Sequence, residues 1–139
     1  MSDLAPRFTD GWLFARDVVD IGSAGYLQII DRVDSTILSG GENVYPQEVE
    51  MFLKTHPSIE DAAVTGIADP TWGERVVALV ISNDPELTEQ DIESWSLENS
   101  AKLARYKRPR QIVFVSSLPK NVFGKLERYK LKDEFFTAR

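Results

Sequence analysis

Cysteine is missing altogether from this 139-residue chain. Its absence excludes disulfide staples, zinc–thiolate sites and a cysteine nucleophile. Histidine is nearly missing too. The sole one, His56, follows an apolar stripe and precedes Pro57, a position that reads as the end of a helix rather than as a general base. No metal site is expected within the chain itself. No apolar run approaches the ~20 residues that cross a bilayer as a helix. Met1 to Phe14 lacks the basic-then-apolar order of a signal peptide, so a cytoplasmic location without a transmembrane segment is the expectation. Positive charge is in short supply: 16 basic against 22 acidic side chains leave a formal net charge of −6. Duplex nucleic acid is bound largely through basic surface, so a nucleic-acid partner is not expected. A small anion such as a nucleotide needs only a local cation.

What is present is an ordinary globular chain of one domain's length, 42% hydrophobic and 27% charged, enough to bury a core. Trp12 to Phe14 reads as a short strand attached to a polar tail, and Asp17 to Asp20 continues it with Val18 and Val19. Gly22 to Gly25 signals a turn, and Tyr26 to Asp31 is the next strand. Thr36 to Leu38 predicts a further short strand, followed by a tight loop over Ser39-Gly40-Gly41-Glu42-Asn43. Pro46 suits the first turn of a helix, and Glu48 and Glu50 suit its positive end. Val49, Phe52 and Leu53 give that helix one apolar face, and it stops near Thr55. Asp61 to Ile67 and Val76 to Ser82 are β-rich runs around a loop at Asp69–Gly73. Thr88 with Asp91 is a variant capping pattern that opens a helix reaching about Ala104. Gln111 to Ser116 predicts a strand, Pro119 to Lys125 a polar loop, and Leu126 to Phe136 a last helix. The expected fold is α+β: a small central sheet with packed helices, β-α-β-β-α-β-α, preceded by a short N-terminal β-hairpin.

Several of these stretches match one family when read together. Gly11-Trp12, Asp17 and Gly25-Tyr26-Leu27 come first, then the run from Asp31-Arg32-Val33-Asp34 through Ser39-Gly40-Gly41-Glu42-Asn43-Val44-Tyr45-Pro46 to Glu50. Tyr106-Lys107-Arg108-Pro109, Leu118-Pro119-Lys120 and Gly124-Lys125-Leu126-Glu127-Arg128 follow in order and spacing. The chain thereby resembles, over residues 10–131, the C-terminal domain of the adenylate-forming acyl-CoA synthetases, or acid–CoA ligases. The resemblance implies an activity in two steps: a carboxylic acid and ATP give an acyl-adenylate, and coenzyme A then takes the acyl group. It also divides the chain, with residues 1–33 as a lead-in up to the hinge and 34–139 as the small mobile domain.

The resemblance assigns roles residue by residue. Lys125 matches the adenylation lysine. A carboxylate and an α-phosphate, both anionic, must meet, and a fixed cation there stabilises the developing charge. Asp17 matches the aspartate that accepts hydrogen bonds from the ribose hydroxyls, although Ala15-Arg16 stands before it where Thr-Gly is common. Arg32 matches the arginine that contacts the nucleotide, and Asp34 falls at the hinge about which the domain rotates between half-reactions. Gly40, Gly41, Glu42 and Asn43 match the loop that lines the coenzyme A path. Lys107, within a basic run of Lys102, Arg105, Arg108 and Arg110, is a candidate to attract that cofactor's phosphates.

The family's phosphate-gripping loop, acyl pocket and adenine-stacking segment have no counterpart here. By resemblance they lie in a large N-terminal domain, the expected partner, which holds most of the ATP and its magnesium. Positioning supplies much of a barrier reduction, up to ~7–11 kcal/mol, so the chain alone is expected to be inactive or nearly so. Two alternatives stand beside the ligase reading: a stand-alone regulatory or binding module that kept the fold, and the subdomain of a peptide-synthetase adenylation domain, where the thiol acceptor is carried on a protein.

Overall fold

The computed structural model of the chain describes residues 35–136 throughout, and upstream the backbone of four strands: β1 (Arg7–Thr9), β2 (Trp12–Phe14), β3 (Asp17–Ile21) and β4 (Leu27–Arg32). These pair as two antiparallel hairpins, β1 with β2 and β3 with β4. The single lead-in hairpin expected from sequence is therefore two. In the second, Asp17 and Arg32 are register partners, and a bulge follows at Val18/Val19.

The next turn is tighter than expected. β5 (Ile37–Ser39) and β6 (Glu42–Val44) are joined by Gly40 and Gly41 alone, so Glu42 and Asn43 lie in a strand and not in a loop. Both glycines have positive φ, 58° and 81°. A two-residue turn matching the right-handed twist of its strands requires this, and a side chain would strain it. Helix α1 (Pro46–Leu53) starts at the proline and buries Val49, Phe52 and Leu53, the face marked out by their spacing.

β7 (Ile59–Asp69) and β8 (Gly73–Ser82) form a long antiparallel hairpin. β8 is the centre of a five-stranded mixed sheet. Along its other edge, β5 meets it at Ser39–Gly73, and β9 (Gln111–Phe114) runs parallel to it from Val77 to Val80. Helix α2 (Glu89–Glu98) supplies the crossover between β8 and β9. Its capping box is closed in both directions: Thr88 Oγ1 accepts from Asp91 N at 3.1 Å, and Thr88 N donates to Asp91 Oδ2 at 3.0 Å. The helix ends short of the expected Ala104. Asn99 leaves helical geometry, and its Nδ2 donates back to Trp95 O at 2.8 Å. The last helix is also shorter than expected, with α3 covering Leu131–Phe136 after a 3-10 turn at Arg128–Lys130. Leu126 is instead held in a bridge to Lys120.

Strand alternation divides the core. Ala62 and Val64 of β7, with Val76, Ala78 and Val80 of β8, face α1 and α2 in the main cluster with Ile37, Phe52, Leu53 and Ile92. Ala63 and Leu79 face the other way, onto Leu131 of α3, with Leu118, Leu126, Phe135 and Phe136 packed around them. The result is a sheet with helices on both faces, an α+β arrangement. His56 lies just past α1 as a structural residue: its Nδ1 accepts from Ser58 N at 3.0 Å, and its ring stands edge-on to Trp95 at 4.8 Å.

Candidate functional site

Lys125 sits on a small hairpin between β9 and α3. Asn121 builds that hairpin. Its Oδ1 accepts from Phe123 N at 2.9 Å and from Lys125 N at 3.0 Å, and its own N–H donates to Lys125 O at 2.8 Å. Gly124, at φ 81°, closes the turn in a conformation that disfavours side chains. The hairpin stands out of the domain, with Val122 and Phe123 at its tip 94% and 86% exposed. Among the described residues, nothing hydrogen-bonds or ion-pairs with the Lys125 ammonium.

That ammonium borders an open cleft of ≈ 840 Å³, lined also by Ser35, Thr36, Thr65, Glu74, Asn121 and Arg128. The cleft therefore joins the lysine hairpin to the residues that directly follow position 34. Asp34 itself lies outside the described residues.

Arg128, which lines the cleft, is tied to a buried carboxylate behind it. Glu50 of α1 is 6% exposed. Its Oε2 accepts from Val64 N at 2.7 Å, and both its oxygens accept from Arg128: Oε2 from Nη1, and Oε1 from Nη2 at 3.2 Å. Arg128 Nη1 also donates to Val64 O at 2.9 Å. At the hairpin's other foot, Lys120 Nζ donates to Asp61 Oδ2 at 2.6 Å, and Lys54 approaches the same carboxylate at 3.8 Å. Burial would raise the Asp61 pKa, but the Lys120 hydrogen bond, the Ala62 amide and the two lysine charges outweigh it and hold it below the ordinary 3.8.

The glycine turn is a separate surface. Gly40 N donates to Trp72 O at 2.8 Å, and a Cβ on Gly40 would come within 3.0 Å of the Trp72 ring. The Arg110 guanidinium lies 3.7 Å from that ring's centroid. Asp69 fixes the loop, its Oδ1 accepting from Thr71 N and Trp72 N at 2.8 and 3.0 Å, and its Oδ2 from Arg75 at 3.0 Å. Glu42 and Asn43 are exposed beside the turn.

The basic run is dispersed by its partners. Lys107 Nζ donates to Glu48 Oε1 at 2.7 Å. Desolvation would lower the Lys107 pKa, but the hydrogen bond and charge of Glu48 prevail and raise it. Arg108 reaches Glu93 at 3.3 Å, and Lys102 and Arg105 remain exposed.

The structure thus places Lys125 at the cleft lined by the residues that follow position 34, and the Gly40–Gly41 turn outside it. Sequence reading missed Trp72, whose signal is a large aromatic within a Pro-Thr-Trp-Gly turn. It also missed the Glu50–Arg128 pair, whose partners are 78 residues apart and carry no local signal.

The fold is a small α+β domain, and the lysine on its projecting hairpin has no partner among the described residues. The chain belongs to the AMP-binding enzyme C-terminal domain family, which matches residues 48–125. It is 38% identical over 128 residues to the long-chain-fatty-acid–CoA ligase FadD13 of Mycobacterium tuberculosis, covering 92% of this chain and 25% of the relative. It is 42% identical over 129 residues to the 2-succinylbenzoate–CoA ligase of Geobacillus sp. (strain WCH70), covering 92% and 26%. Among solved structures, o-succinylbenzoate CoA synthetase (MenE) from Bacillus subtilis, in complex with the acyl-adenylate intermediate OSB-AMP, superposes with a TM-score of 0.80 at 34% identity, over 95% of this chain and 26% of that one. Amide bond synthetase McbA from Marinactinospora thermotolerans superposes with a TM-score of 0.78 at 32% identity, over 92% and 26%. The chain spans about a quarter of the length of the relatives it matches.

Proposed function

We propose that this chain is the mobile C-terminal domain of an ATP-dependent acid–CoA ligase, with residues 34–139 turning about Asp34 against a large N-terminal domain. The observation that supports this best is Lys125 itself, its ammonium without a partner among the described residues, on a hairpin held by backbone hydrogen bonds at the rim of an open cleft. In the first half-reaction Lys125 delivers its charge to the point where the carboxylate attacks the α-phosphate. A compact cation on a flexible stem suits that task. Asp17 and Arg32, opposite each other across β3 and β4, serve the nucleotide: the carboxylate accepts from ribose hydroxyls and the guanidinium donates to oxygen.

The second half-reaction uses the other surface. Gly40 and Gly41 let a thin pantetheine chain pass close to backbone, flanked by Glu42 and Asn43. Lys107 adds charge for the phosphates while remaining paired to Glu48. Gly40 and Gly41 do not line the Lys125 cleft, which supports a domain that presents the two surfaces in turn. ATP and magnesium are held mainly by the large domain. The acid pocket belongs there too, so this domain serves whichever acid that pocket selects.

The test joins this domain to the large domain of a matched ligase and introduces Lys125→Ala. Acid-dependent pyrophosphate release should fall by about 10²–10³-fold, while thioester formation from supplied acyl-adenylate and coenzyme A keeps its rate. Unchanged pyrophosphate release would overturn the assignment. The likeness to an amide bond synthetase favours one second reading, in which the acceptor is an amine. Offering amines and coenzyme A to the same joined enzyme separates the two.

A further inference from the structure

We infer that Arg128 is a positioning residue for Lys125: its fork onto Glu50 and Val64 seats the lysine hairpin on α1 and β7 and so fixes where the ammonium is presented. The inference rests on the proposed role of Lys125. Arg128 follows Lys125 by three positions, directly after the Lys120–Leu126 bridge that closes the hairpin. It makes bonds to both oxygens of a carboxylate on α1 and to a carbonyl on β7. That carboxylate is itself fixed by the Val64 amide. Three elements are therefore tied at one buried point.

The hairpin's other foot, Lys120 on Asp61, also stands on β7, but its side chains are 43% and 19% exposed, against 23% and 8% for Arg128 and Glu50. An exposed pair holds geometry weakly. A largely buried, forked pair whose carboxylate also accepts from a backbone amide holds it firmly. Arg128 is thus the foot that sets the lysine's place. Between these feet the described contacts of residues 121–125 are internal to the hairpin, so the anchor lies outside the turn.

Arg128→Lys tests this. It keeps a cation opposite Glu50 but cannot bridge both of its oxygens and the Val64 carbonyl at once. A double variant, Glu50→Gln with Arg128→Met, removes both charges of this pair together. In the 139-residue chain, amide exchange at Gly124 and Lys125 should quicken in both variants while β7 and β8 amides keep their protection. In the joined enzyme, adenylate formation should fall by about 10²-fold, as a lysine misplaced by about 1 Å would cause, with thioester formation from supplied adenylate retained. If both half-reactions fall equally, or if the hairpin amides are unchanged, Arg128 is a stability residue only and the inference is overturned. If Lys125→Ala abolishes adenylate formation and Arg128→Lys leaves it intact, the anchor fails and the lysine's role stands. If Lys125→Ala is silent, the lysine's role fails, and the positioning inference falls with it even where exchange shows that the hairpin is seated.

Discussion

Gly66 has no room for a side chain. A Cβ built there would lie 2.6 Å from Glu74 Oε2 and 2.9 Å from Ile37 Cγ2. Ile37 is buried, and the other Glu74 oxygen accepts from Leu38 N at 3.0 Å, so neither neighbour withdraws freely. Gly66→Ala should therefore destabilise the domain by about 1–3 kcal/mol, in the range of overpacked cores, measured as a lower urea midpoint with an unchanged slope. Single residues of this kind are where sequence and structure part most. The helical face of Val49, Phe52 and Leu53 was legible because burial at that spacing is a local rule. The need for glycine at 66, the Trp72–Arg110 stack and the Glu50–Arg128 fork arise from groups brought together by the fold, and no local pattern announces them. Lys125 was legible only because the residues around it match a family. Its ammonium's lack of a partner among the described residues is a structural fact.

At the scale of elements, the lysine hairpin is tied to β7 by an ion pair that titrates. The folded Asp61 pKa is depressed below 3.8, so its contribution to stability is complete above that value and is lost as pH falls through the lower folded one. Wild type should exceed Asp61→Asn in urea resistance near neutrality, by under about 1 kcal/mol for so exposed a pair. That difference should shrink on acidification below 3.8. A difference that grew with acid would mean that the carboxylate is not the stabilised form. Elements also show how end signals compete with periodicity. The cap at Thr88 and Asp91 fixed the start of α2, but Asn99 ended it early by bonding back to Trp95. The final helix lost its first turn because Leu126 and Arg128 are held by Lys120, Glu50 and Val64.

As a whole molecule, the domain offers two surfaces fixed to one sheet. β5 begins in the Lys125 cleft and ends at the glycine turn, and β6 and then α1 lead from that turn to Glu50. Rotation as one body would exchange one surface for the other without internal change. On the proposed reading, the groups that hold a nucleotide and an acid in line belong mainly to the large domain. Mixed with ATP and an acid, the isolated chain should release no pyrophosphate above background, and addition of a matched large domain should restore it. Release by the isolated chain would show a complete site within it.

The placement of β8 also orders the assembly of the molecule. β7 reaches it through the short Asp69–Gly73 turn, whereas β9 arrives only after α2 has intervened. Closing the shorter loop costs less chain entropy, and pairing between sequence neighbours forms faster. In chain order β7 and β8 are complete before β9 begins, and the lysine hairpin is later still. The residue on which adenylation would turn thus belongs to a part of the chain made after every strand of the central sheet.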